Sequence, residues 1–256
     1  MPPATIQLAS PHGVWRPVYA RRIALHATAD AIVLAAWRAD IDGMTLRPAL
    51  ATWRRAVGEL DQGQQQRREA AAATVLTVLA SRAWKRLRAA LALAIQRAYA
   101  AGWQAGNHLT TANQADDSAY DDSTGSGYTL GASTMPDATA QATAASWLGR
   151  ILAAVARRVG RVMADTHEDP LTAVTAVLVA SLDVTLTVDL AVSAAYGAGL
   201  IAAYVGAGVQ ALQWITAGDS DVCTRCLDNE SSGPYSPFAA PILPEHPSCR
   251  CILAPA

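Results

Sequence analysis

All four cysteines of the chain fall in its last 34 residues. They form Cys223-Thr224-Arg225-Cys226 and, after 22 intervening residues, Cys249-Arg250-Cys251, with His246 three positions before Cys249. Thiolate sulfur and imidazole nitrogen are the donors that hold structural zinc. Two thiols spaced C-x-x-C sit on one tight turn and point at a single ion, and a second pair from a distant segment completes a tetrahedron. Five donors compete for four places: Cys223, Cys226, His246, Cys249 and Cys251. The spacing therefore predicts a site of either four thiolates or three thiolates and one imidazole. Zinc is the expected cofactor, in a structural role. The loop between the two pairs carries Gly233, Pro234, Pro237, Pro241, Pro244 and Pro247 and little apolar material of its own. Metal binding would therefore supply much of its folding energy. Two other states stay open on spacing alone: a pair of disulfides in an oxidising compartment, or free thiols. The N-terminal residues show no basic segment leading into an apolar run and a small-residue cleavage site, which predicts a reducing compartment and favours metal.

Catalytic uses of the same residues fit less well. Zinc deaminases pair a downstream P-C-x-x-C with an upstream H-x-E. Here Val222 precedes Cys223, and the upstream candidate, His167-Glu168, is adjacent rather than spaced. A redox C-x-x-C belongs in a thioredoxin-like βαβ setting, which the pattern lacks. Cys249 with His246 stays open as a nucleophile–base pair. No enzyme and no small-molecule substrate is expected.

The elements that must carry this cluster read as helices. The 256 residues are enough for a sizeable core. They are rich in hydrophobic residues (52%) and poor in charge (16%), with one Phe, which favours small-residue helix packing over an aromatic-rich sandwich. Residues 18–39 have Ile23, His26, Ile32 or Val33 and Trp37 at helical spacing, and 46–60 reads as a short helix. From Gln64 to Gly102 there is no proline, and Leu76, Ala80, Trp84, Leu87, Leu91, Ile95 and Ala98 form one apolar stripe, predicting a single long helix. Helix is expected again from Ala138 to Asp165 and, starting at Pro170, over 171–183 and 184–207. The period then changes: Leu212–Thr216 and Arg250–Leu253 read as short strands. Leu190 to Gly218 is free of charge and long enough to span a membrane, but its glycines, Ser193, Gln210 and Gln213 favour a buried helix. The expected fold is mainly α: an elongated helical body with a small C-terminal α+β module containing a β-hairpin and stapled by zinc. The expected organisation is a helical region 1–106, an acidic and polar linker 107–137, a helical region 138–209, and the Cys/His module 210–256.

The net charge of −1 selects no partner, but its distribution is uneven. Residues 1–106 hold 14 basic against 6 acidic groups, whereas 107–145 hold five aspartates, including Asp116-Asp117 and Asp121-Asp122. Without a loop pattern those pairs read as solvated charge rather than a metal site. Between Glu69 and Asp116 there is no acidic residue, while Arg82, Lys85, Arg86, Arg88 and Arg97 are all present. Such a strip is either a solvated face or a surface for nucleic-acid phosphates or an acidic protein, without sequence readout.

The C-terminal residues carry a resemblance. Trp214-Ile215-Thr216-Ala217-Gly218-Asp219-Ser220-Asp221-Val222-Cys223-Thr224-Arg225-Cys226, then Gly233-Pro234-Tyr235, then His246-Pro247-Ser248-Cys249-Arg250-Cys251-Ile252-Leu253 resembles the phage Mu F-like head morphogenesis family. The order is the specific feature: a tryptophan strand, an aspartate turn, C-x-x-C, a Pro-rich loop and H-P-x-C-R-C. Members often show an Arg-Thr-Glu-like segment before the tryptophan strand, where this chain reads Thr187-Val188-Asp189. The resemblance implies a minor head protein of a tailed phage or prophage, acting in head morphogenesis at the portal vertex. Its implied partners are portal and other head proteins and, non-specifically, packaged DNA. Its implied location is the capsid interior, after assembly in the host cytoplasm. The same module also occurs beside toxin domains in effector proteins, which is the alternative reading, and a membrane-active phage protein using residues 190–218 is a third.

Overall fold

The computed structural model describes residues 11–42, 64–81, 83–112, 135–165, 170–247 and 249–256. The order of elements is α1 (Pro11–Ile41), α2 (Gln64–Ala80), α3 (Lys85–Ala112), α4 (Asp137–Asp165), α5 (Pro170–Ala180), α6 (Leu182–Gly206), β1 (Leu212–Ile215), α7 (Thr224–Ser231) and β2 (Ile252–Pro255). Among the described residues the chain is mainly helical with one two-stranded antiparallel sheet, as the composition and the change of period predict. The expected helix at 46–60, the acidic pairs and Arg82 lie outside the described residues. Residues 107–112, polar in composition, continue α3.

The chain forms two compact units, each assembled from separated stretches: 1–29, 93–140 and 189–256 in one, and 30–92 and 141–188 in the other. In the second unit the expected single helix from Gln64 to Gly102 is broken. Ser81 ends α2 by donating its hydroxyl to Val78 O at 2.7 Å, and Trp84 adopts a positive φ of 44° before α3 begins. Tertiary packing outweighs helix propensity at this point. The break lets the buried Trp84 ring stack on Trp37, with centroids 5.2 Å apart and planes 6° from parallel. The Trp84 indole N–H donates to Leu79 O and that of Trp37 to Leu178 O at 3.0 Å, so neither buried donor is orphaned. Asp40 of α1 accepts the Leu87 amide at 3.0 Å, supplying from a distance the anionic cap that the basic first turn of α3 lacks. A second left-handed residue, Ser181 at φ 55°, separates α5 from α6.

In the first unit α3 and α6 approach closely through glycines. A Cβ on Gly102 would stand 2.0 Å from Tyr196 O, and one on Gly199 2.0 Å from Tyr99 O. Side chains there would force the backbones apart, so the small residues set the helix separation. Around this contact Ile95, Ala98, Tyr196, Leu200, Ala203 and Tyr204 are buried. The Tyr204 hydroxyl donates to Leu253 O at 3.0 Å and thereby ties α6 to the sheet. One described segment, Val174–Gly206, is apolar and long enough by composition to cross a membrane. It is interrupted at Ser181, and the uncharged run that begins at Leu190 leaves helix at Gly206 and enters β1 rather than forming one span. β1 pairs with β2 in the register Leu212↔Pro255, Trp214↔Leu253 and Ile215↔Ile252. Trp214, Leu212 and all four residues of β2 are buried.

Of the stripe expected on α1, Val33 and Trp37 are buried and His26 is half-buried, but Ile23 is not part of it. Ile23 is 45% exposed, and the face turned inward carries Val18, Arg22, Ala29, Val33 and Trp37.

Candidate metal centre

The C-x-x-C motif does not end in a simple turn: it starts a helix. Cys223 is the N-cap of α7, in extended conformation, and its carbonyl accepts the amides of Cys226 at 3.0 Å and Leu227 at 3.1 Å. Its sulfur also receives the Cys226 amide at 3.4 Å. Residues three apart at a helix start share one side, so both sulfurs face the same point. The second set of donors arrives on the Pro-rich loop. The Cys249 amide donates to His246 O at 3.1 Å, folding His246 and Cys249 into one turn, and Cys251 follows at the entry to β2.

The five predicted donors are brought together. His246 Nε2 lies 3.1 Å from Cys223 Sγ and 3.4 Å from Cys226 Sγ, and Cys226 Sγ lies 3.9 Å from Cys249 Sγ. Around a tetrahedral ion with bonds of about 2.3 Å to sulfur and 2.0–2.1 Å to nitrogen, ligand atoms stand roughly 3.6–3.8 Å apart. The observed separations of 3.1, 3.4 and 3.9 Å fall on either side of that scale. The donors form two close groups, Cys223–Cys226–His246 and Cys226–Cys249–Cys251, with Cys226 in both. All four cysteines are free thiols, which places no disulfide in this cluster. An open recess lined by Val222, Cys223, Cys226, His246, Arg250 and Cys251 gives an ion access from solvent. The residues present therefore fit a metal ion.

Hydrogen bonds around the cluster hold the ligands in place. His246 Nδ1 is 2.8 Å from Pro247 O, so Nδ1 is the protonated nitrogen and Nε2 presents its lone pair to the sulfurs. Arg225 of α7 pairs with Glu245 at 2.9 Å, next to His246. Arg250, between Cys249 and Cys251, makes a two-pronged contact with Asp219, at 2.6 Å from Nη2 to Oδ1. Glu230 of α7 accepts both the amide and the hydroxyl of Thr216, just beyond β1. From α1, the buried Arg22 donates Nη1 to Cys251 O at 2.8 Å and Nη2 to Cys249 O.

The thiols are unequal. The hydrogen bond from Cys251 brings the Cys249 thiol down to about 5, helped by backbone hydrogen bonds and by the nearby Arg22 charge. Burial pushes the Cys226 thiol up to about 12. The Cys251 thiol is raised, first by its hydrogen bond to Cys249 and then by burial. The Cys226 amide lowers the Cys223 thiol, and the hydrogen bond to Pro247 O raises His246. Cys223 and Cys249 thus give up their protons more readily than Cys226 and Cys251, and thiolate ligation of a cation would couple to pH.

Of the predicted basic strip, Arg82 lies outside the described residues. Lys85, Arg86, Arg88 and Arg97 are exposed on α3, but Arg86 Nη1 donates to Ala39 O at 3.1 Å and so also serves the fold.

Two arrangements were not expected from the sequence. Arg22 is one; the signal for it is an arginine in register with the buried positions Val18, Ala29 and Val33 of α1. The other links His26 Nδ1 to Asp189 at 2.5 Å and His26 Nε2 to Ser193 Oγ at 3.0 Å. Its order is that of a hydrolase triad. Ser193, however, is 3% exposed in the body of α6, where helix bonding takes up the neighbouring amides that an oxyanion would need. The network satisfies a half-buried histidine between α1 and α6.

No protein-family model, curated protein or solved structure matches this chain.

Proposed function

We propose that this chain is a structural head protein of a tailed phage or prophage, and that its C-terminal module is folded around one zinc ion. The observation that carries the reading is the convergence of Cys223 and Cys226 with His246, Cys249 and Cys251, on elements in the order of the Mu F-like pattern. Thiolate and imidazole donors suit zinc among the divalent metals, and a closed set of four protein ligands is the mark of a structural rather than a catalytic site. Bound zinc would cross-link α7 to the chain entering β2. The residues' own part is to hold its ligands: the Arg225–Glu245 and Arg250–Asp219 pairs fix the two loops, and the Glu230–Thr216 contacts join α7 to β1. The proposed role includes assembly at the portal vertex with portal and other head proteins, and weak contact with DNA through exposed Lys85, Arg88 and Arg97.

The test is the protein content of heads purified from a phage or induced prophage that encodes the chain. It is expected in the particles at low copy, and deletion of its gene is expected to lower the yield of DNA-filled heads. Absence from purified heads, or a deletion that leaves filled-head yield unchanged, would overturn the proposal.

A further inference from the structure

Arg22 is 1% exposed, and its charge is held without a carboxylate: among the described residues none pairs with it. Its two terminal nitrogens are taken by the carbonyls of Cys249 and Cys251, and its Nε finds no acceptor. The Tyr19 ring, 5.0 Å from the guanidinium carbon, adds a weak attraction. An unpaired buried charge is costly, and carbonyl dipoles recover only part of its lost hydration. Yet this arginine sits on the core face of a helix 227 residues before the cluster it touches. An anion at that cluster would explain its placement.

We propose that Arg22 is the counter-ion of the metal centre, and that metal occupancy thereby controls how firmly the Val18–Ala29 turns of α1 are held to the C-terminal module. This rests on the metal reading given above. A divalent ion with three thiolates and one imidazole carries one net negative charge, which the guanidinium brings to zero. With four thiolates the net charge is two negative, and half of it stays uncompensated beside Arg22. Charge balance therefore selects His246 as one of the four ligands. The two guanidinium–carbonyl bonds also fix the backbone on both sides of Arg250, so Arg22 orients the Cys249 and Cys251 sulfurs as well as neutralising the site. Positioning groups of this kind typically change metal affinity about 10- to 100-fold.

The test uses the full chain, stripped with chelator under reducing conditions, as wild type, Arg22→Met and Arg22→Lys. Zinc affinity is measured by competition with a chromophoric chelator. In parallel, amide hydrogen exchange of residues 18–29 is followed in the wild type with and without zinc, which requires no variant to fold. The wild type is expected to bind zinc, and Arg22→Met to bind about 10- to 100-fold more weakly. Arg22→Lys should fall between them because it keeps the charge without the two-carbonyl bridge. Residues 18–29 are expected to lose protection on stripping. Wild-type binding with Arg22→Met unchanged within about threefold, or protection of 18–29 that ignores zinc, would overturn the counter-ion role while leaving the metal centre standing. A wild type that binds no zinc would remove the metal reading and this inference together.

Discussion

Replacing Cys226 with serine tests the geometry of the centre most sharply, because Cys226 belongs to both close donor groups. Whichever four of the five donors bind, no close set can be drawn without it. Its sulfur is 3.4 Å from His246 Nε2 and 3.9 Å from Cys249 Sγ, and the residue is 2% exposed, so water has little room to take its place. Structural zinc contributes roughly 10–16 kcal/mol to small metal-folded domains. One ligand of four corresponds to about 3 kcal/mol, or between 10²- and 10³-fold in affinity. Cys226→Ser is therefore expected to be at least as damaging as serine at Cys223, Cys249 or Cys251. The loss should centre on the module: residues 212–256 should become protease-sensitive, with residues 18–29 of α1 losing protection beside them, while most of the far-UV signal of the helices persists. Limited proteolysis and zinc titration of the four single variants supply the ranking. A Cys226→Ser protein that binds zinc better than Cys223→Ser or Cys251→Ser would rule out a shared ligand at this position.

Three further outcomes follow from particular contacts. Gly199→Ala places a Cβ 2.0 Å from Tyr99 O, so α3 and α6 must separate by more than an ångström; a loss of roughly 1–3 kcal/mol or more is expected in chemical denaturation, and an unchanged midpoint would contradict the packing described. The hydrogen bonds from Arg250 hold the Asp219 carboxyl below its ordinary value. The stability it contributes is thus complete above the unfolded value of about 3.9 and is lost as pH falls through the lower folded value. Asp219→Asn should flatten the acid limb of the module's stability curve, and an identical limb would remove the clamp. Lys85→Gln with Arg88→Gln should lower the slope of log affinity for DNA against log salt by up to about 2, measured at low ionic strength, and no change in slope would remove these side chains from phosphate contact.

Much of this fold is written in local patterns. α4, α5 and α6 follow from apolar periodicity and from Pro170, and the two strands from the change of period after Gly206. The break between α2 and α3 is not legible that way. Residues 81–84 contain neither proline nor glycine and continue the apolar stripe, and only the partner ring of Trp37, far back in the chain, makes burying Trp84 worth a left-handed residue. The same holds for the capping of α3 by Asp40. In the centre itself the five donors are legible because ligand chemistry restricts residue types and C-x-x-C restricts spacing. The contacts that hold those donors are less so. Cys223 as a helix N-cap depends on the conformation of one residue, and Arg22 looks like any other member of a basic N-terminal stretch until the inward face of α1 is known.

Zinc content bears on all of this at once. Protein purified under reducing conditions should contain one zinc per chain by elemental analysis, with its thiols shielded from titration until a chelator releases the ion. No metal, with four thiols that titrate freely before chelation, would mean that the C-terminal module does not fold around a bound ion.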